Sequence, residues 1–132
     1  MYRVLVGIDV DEDRAIAQAE AIAALPAASE DVTAHLCHVF GDNPEGASVH
    51  QLAAVRRART LLEDAGVSCV HYEASGRPAE ELVAAAEDID ADAICLSGRK
   101  RSPAGKAVFG SVTQGTILTS DRPVFAVPGP TK

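Results

Sequence analysis

Four of the chain's twelve basic side chains, Arg99, Lys100, Arg101 and Lys106, fall within eight positions of one another. Before them comes the apolar run Ala93–Leu96, then Ser97 and Gly98. After them comes Gly110-Ser111-Val112-Thr113-Gln114, which has the composition of a helix start. A strand that empties into a basic, glycine-bearing loop and then a helix start is chemistry for an anion. Free backbone N–H groups and the positive end of the helix dipole converge there on one point. A purely structural account also fits. Ser111 with Gln114 three residues on spells a capping box, which stabilises a helix by about 1 kcal/mol and needs no ligand.

The elements that must position this loop follow from the apolar pattern. Val4–Ile8 is apolar throughout and ends at Asp9, the signature of a strand buried on both faces. A helix is expected over about Asp13–Leu25, then a strand over Val32–Phe40. A second helix is expected over about Ala47–Ala65, stopped by Gly66, and a third strand over Val67–Ala74. Pro78 opens a third helix. The fourth strand is Ala93–Leu96, a fourth helix starts near Gly110, and Val124–Val127 is the last strand.

This alternation predicts an α/β fold: one domain, residues 1–132, with a doubly wound, Rossmann-like, five-stranded parallel sheet and four helices. Ligands of such sheets sit beyond the carboxyl ends of the strands, where the strand order reverses. The candidates are therefore Asp9 after the first strand, Val39 and Phe40 after the second, and the loop from Gly98 to Ser111 after the fourth. Asp9 could equally cap the following helix.

Composition removes several function classes. The formal net charge is −7, which argues against nucleic acid and against an anionic membrane surface. No apolar run approaches the roughly 20 residues that span a bilayer. Met1-Tyr2-Arg3 leads straight into a strand, unlike a signal peptide, so a cytoplasmic protein is expected. Cys37, Cys69 and Cys95 all fall in expected strands, as reduced, buried thiols do. His35, Cys37, Cys69 and His71 lack the tight spacing of a structural zinc site, and no metal is expected. There is no nucleophile elbow, and GRKRSPAGKAV lacks the GK[ST] of a Walker A loop. A phosphorelay receiver would need an aspartate at the end of the third strand, where Ala74-Ser75-Gly76 stands.

Three stretches resemble the universal stress protein family. They are VLVGIDVDED at the start, SGRPAEELVAAAEDIDADAICLSG in the middle and GSVTQGTILTSDRPVFAVP towards the end. The resemblance spans nearly the whole chain. It implies the strand order 3-2-1-4-5 and a homodimer paired through Val124–Val127. ATP-binding members carry G-x2-G-x9-G-[ST] after the fourth strand. Gly110 and Ser111 match its last pair, Ser97 and Lys100 stand where its first two glycines would be, and Gly98 is one position late. Carried over, Asp9 contacts the adenosine end, Val39 lines the adenine pocket, and Gly110, Ser111 and Val112 meet the phosphates. Lys100 and Arg101 add positive charge where a triphosphate would lie.

The expected function is thus a regulatory, ATP-binding stress protein. The alternative is a dimeric interaction module of the same fold without nucleotide. An enzyme ranks last, with slow ATP hydrolysis as its form, because no residue is evidently placed to orient water.

Overall fold

The structure, a computed structural model, describes residues 1–40, 48–98 and 110–128, apart from the side chain of His50. The five expected strands form: β1 (Tyr2–Gly7), β2 (Val32–Phe40), β3 (Ser68–Ser75), β4 (Ala93–Ser97) and β5 (Val124–Val127). They make one parallel sheet in the order β3-β2-β1-β4-β5. The helices are α1 (Glu12–Ala23), α2 (Ala28–Asp31), α3 (Ala53–Asp64), α4 (Pro78–Asp88) and α5 (Ser111–Thr119). Among the described residues that is five helices where four were expected; α2 is a single turn too short to show a period.

Alternation along the central strands builds two cores. Val4 and Val6 of β1, with Ile8 just beyond it, face the layer made by α1 and α3, where Ala15, Ala19, Ile22, Val55, Ala58 and Leu62 are buried. Leu5, Cys37, Ile94 and Leu96 face the other layer, against Leu82, Ala85 and Ala86 of α4. Small residues on α1 let it lie close to the sheet. One polar residue interrupts that face. Gln18 is fully buried and its Nε2 donates to the carbonyls of Gly7 (2.9 Å) and Cys95 (3.3 Å). Its Oε1 has no partner among the described residues.

Helix ends follow from local chemistry. Asp11 is the N-cap of α1, its carboxylate accepting the Arg14 N–H at 3.1 Å. Asp9, the expected cap candidate, instead accepts the Asp11 N–H at 2.8 Å. Gly66 ends α3 with φ +83, and Val67 N–H bonds Leu62 O at 2.9 Å while Gly66 N–H bonds Glu63 O. That is the Schellman closure glycine favours. The helix expected over Ala47–Ala65 is shorter. Leu52 is extended, separating a 3₁₀ turn at Val49–Gln51 from α3. The cause is tertiary: Val49 is fully buried, and the Glu73 carboxylate of β3 accepts its N–H at 3.1 Å.

The capping box also shifts. Gly110, extended at ψ 168, occupies the N-cap, so Ser111 is already the first helical residue. The Gln114 N–H bonds Gly110 O at 3.1 Å rather than the Ser111 hydroxyl. The turn-rich segment 41–47, with Gly41, Asp42, Asn43, Pro44, Glu45 and Gly46, lies outside the described residues.

Candidate functional site

The order β3-β2-β1-β4-β5 places the switch between β1 and β4, whose crossovers run to opposite faces. Their pairing ends at Val6↔Cys95, although both strands continue. Beyond those ends opens a cavity of about 230 Å³. It has three chemically different sides.

The floor is apolar. Gly7, Cys37 and Val39 come from the strand ends, and Leu82 and Leu96 lie across from them. Gly7 keeps this floor open, because any side chain on it would push the leucine tips aside. A Cβ on it would stand 2.7 Å from Leu96 Cδ2 and 3.1 Å from Leu82 Cδ2. Burial holds the Cys37 thiol protonated, its pKa pushed up to about 12, with the carboxylates of Glu73 and Glu81 adding to the effect.

The second side is charged. Asp9 Oδ2 accepts from Arg14 Nη1 at 3.1 Å, and Arg14 Nε lies 3.8 Å from Asp11 Oδ2. The Ile8–Asp9 turn is fixed from beneath by His38, whose Nδ1–H donates to Ile8 O at 2.6 Å. A carbonyl can only accept, so the proton is on Nδ1. Phe40 meets that ring edge-on at 4.7 Å between centroids.

The third side is the start of α5, where Gly110, Ser111, Val112 and Thr113 line the cavity. The first N–H groups of any helix lack intrahelical acceptors and carry its positive dipole end. Thr113 anchors this end: its buried hydroxyl donates to Ser97 O, the last residue of β4, at 3.0 Å.

Of the sequence's candidates, Asp9, Val39, Ser97, Gly110, Ser111 and Val112 line this one cavity. Gly98 is buried and turned towards β5, its N–H bonded to Val127 O, and does not line it. Lys100 and Arg101, like Arg99 and Lys106, lie outside the described residues. Gly7, Arg14, Leu82 and Leu96 were missed as site residues. A glycine inside an apolar strand was the available signal for Gly7. For Arg14 it was one cation among the acids from Asp9 to Asp13.

The histidine–cysteine set does not converge. His35 pairs with Val70 and Ala34 with Cys69, so His35 and Cys37 face one side of the sheet and Cys69 and His71 the other.

A model of the universal stress protein family matches residues 1–128. The chain belongs to the universal stress protein family. A universal stress protein of Mycolicibacterium smegmatis is 34% identical over 88 residues, covering 66% of this chain and 68% of that protein. The structure of a universal stress protein from Archaeoglobus fulgidus superposes with a TM-score of 0.77 at 26% identity, covering 96% of this chain and 98% of the other. A universal stress protein from Archaeoglobus fulgidus in complex with dAMP superposes with a TM-score of 0.74 at 21% identity, over 96% and 98% of the two chains. The expected fold and strand order are those of this family. No helix among the described residues is long and apolar enough to cross a membrane.

Proposed function

We propose that this universal stress protein binds an adenine nucleotide, ATP included, in the cavity at the β1–β4 switch, and serves as a regulatory protein of the stress response in the cytoplasm. The observation that carries the reading is the juxtaposition of an apolar floor with the N-terminus of α5 in one cavity. A flat base needs the first, and a phosphate needs the second. The nucleotide seen in a neighbour of the same fold supports the ligand class. In this reading Val39 lines the base pocket, Asp9 meets the sugar, and Gly110, Ser111 and Val112 face phosphate. Ser97 and Gly98 shape the exit of β4, and Lys100 and Arg101 supply charge for a longer phosphate chain.

The test is mass spectrometry of small molecules released from the purified, denatured protein, followed by calorimetric titration of ATP and AMP into the stripped protein. Co-purified adenine nucleotide, or micromolar binding weakened in Gly110→Val, is the expected result. A clean blank in both experiments overturns it.

A second reading, a dimeric interaction module without nucleotide, has one observation of its own. Among the described residues β5 pairs with β4 alone, leaving an edge strand of Val124, Phe125, Ala126 and Val127 with no charge on it. Leu118 of α5 is 83% exposed and Ile117 is 44% exposed. An uncharged apolar edge is a site for strand pairing with a second copy. We place the homodimer there in both readings. Light scattering of the nucleotide-free protein is expected to give a dimer mass; a monomer at all concentrations would refute the pairing.

A further inference from the structure

Parallel strands bond by a fixed rule. A residue that turns to the neighbouring strand donates its N–H to one residue there, and its own carbonyl accepts the N–H of the residue two further on. β1 and β2 obey this up to the pair Gly7↔Cys37. Ile8 then makes the first half of the next step, its N–H donating to Cys37 O at 2.8 Å. The second half would be the Val39 N–H donating to Ile8 O. With it the register would reach Ile8↔His38, and among the described residues the register stops one pair short. Ile8 O is taken by a side chain instead, the Nδ1–H of His38 at 2.6 Å.

β2 does not end where this ladder ends. It runs on beside β3 through Val39↔Ala74 and Phe40↔Ser75, and Phe40 O accepts the Gly76 N–H at 2.9 Å. So β2 parts from β1 and follows β3. Alternate residues of a strand turn their backbone groups to opposite neighbours. Phe40 turns to β3, so the N–H and carbonyl of Val39 turn towards the β1 side. The cavity lies there, lined by Ile8, His38 and Val39. The His38 ring is held in its place by Phe40, edge-on at 4.7 Å and 81° between planes.

We propose that His38 is a positioning residue for the ligand. By occupying Ile8 O it stops β1 and β2 from closing their last step, and it leaves the backbone of Val39 turned to the cavity. It acts through the strand ends and needs no contact with the ligand itself. Without its N–H, the ladder can close by one bond and narrow the cavity at the β1–β2 side. The inference rests on the nucleotide reading above and deepens it by naming what holds that site open.

The experiment joins hydrogen exchange of the Val39 amide, read by NMR, to calorimetric titration of AMP, in the wild type, His38→Leu and His38→Asn. The Asn Nδ2 stands as many bonds from the backbone as the His Nδ1, so His38→Asn keeps a donor for Ile8 O. In the wild type the Val39 amide is expected to exchange faster than the Ile8 amide, which is bonded. In His38→Leu the Val39 amide is expected to slow about tenfold, the worth of one gained hydrogen bond, and AMP affinity to fall by a similar factor. His38→Asn is expected to restore both. A wild-type Val39 amide as protected as that of Ile8 overturns the assignment. So does a His38→Leu variant that leaves either quantity unchanged, and so does a loss that His38→Asn fails to rescue, which would mark a packing role. A wild type that shows the expected exchange but binds no AMP overturns the nucleotide reading and leaves the hold of His38 on the ladder standing.

Discussion

Gly7→Ala separates the cavity floor from the rest of the fold. The added methyl would stand 2.7 Å from Leu96 Cδ2 and 3.1 and 3.3 Å from the two Cδ atoms of Leu82. Both leucines must move. They are 3% and 4% exposed, with core packed behind them, and the cavity is their open side. Overpacking of this kind costs about 1–3 kcal/mol. Replacing glycine by alanine within a strand returns about 0.5–1 kcal/mol. The net loss is then about 1 kcal/mol, a fall of about 4 °C in melting temperature for a domain of this size. The binding loss should be larger. The leucine tips occupy the space of the base, and a misfit there lowers affinity at least about tenfold, roughly 1.4 kcal/mol. Calorimetric titration of AMP beside a thermal melt measures both quantities on one sample. A variant that melts as expected yet binds AMP like the wild type would refute the placement of the base on this floor.

Three further outcomes follow from the same geometry. Thr113→Val removes the bond to Ser97 O; a loss of about 1 kcal/mol by calorimetry is expected, together with weaker nucleotide binding as the start of α5 loosens. His35 has its pKa lowered below the usual 6.5, by burial first and the Arg3 charge second. The folded state therefore binds fewer protons than the unfolded one just below that value. Stability is expected to be full above about pH 7 and to fall as the pH drops through the unfolded value, a slope that denaturant melts should find reduced in His35→Gln. Burial pushes the thiols of Cys37 and Cys95 up to about 12 and that of Cys69 up to about 11. Alkylation of the native protein at pH 8 should thus be slow at all three, with the partly exposed Cys69 modified first in a peptide map.

Much of the fold was legible because parallel strands announce themselves. Val32–Phe40 and Val124–Val127 run as read from the sequence, being apolar, β-branched or aromatic stretches bounded by turn residues. The candidates at strand ends were legible for the same reason: once the sheet is doubly wound, its carboxyl ends are the site. What was illegible depends on contacts between distant residues. Glu73 reaches from β3 to hold Val49 and shortens a helix whose own periodicity runs on. Leu82 and Leu96 look like ordinary core, and only their approach to Gly7 makes them a floor. The parity of β2 against β3, which sets His35 and Cys69 on opposite faces, is written in neither strand alone. The one-residue error at Ser111 came from a cap motif that Gly110 pre-empts by its backbone.

Gln18 carries a consequence for how the sheet finds its alignment. β1 is apolar at Val4, Leu5 and Val6, and Ile8 follows it, so sliding it by one residue exchanges one apolar set for another, and burial gives little information about where it should stop. Successive carbonyls of a strand point in opposite directions within the sheet. The amide of Gln18 meets the carbonyls of Gly7 and Cys95 together only when β4 lies beside β1 in the alignment Val6↔Cys95. A slip of one residue would offer it an N–H in place of an acceptor, deep in the core. One amide thus works as a key cut for a single position of the lock. A leucine there would bury more apolar surface and tell the chain nothing.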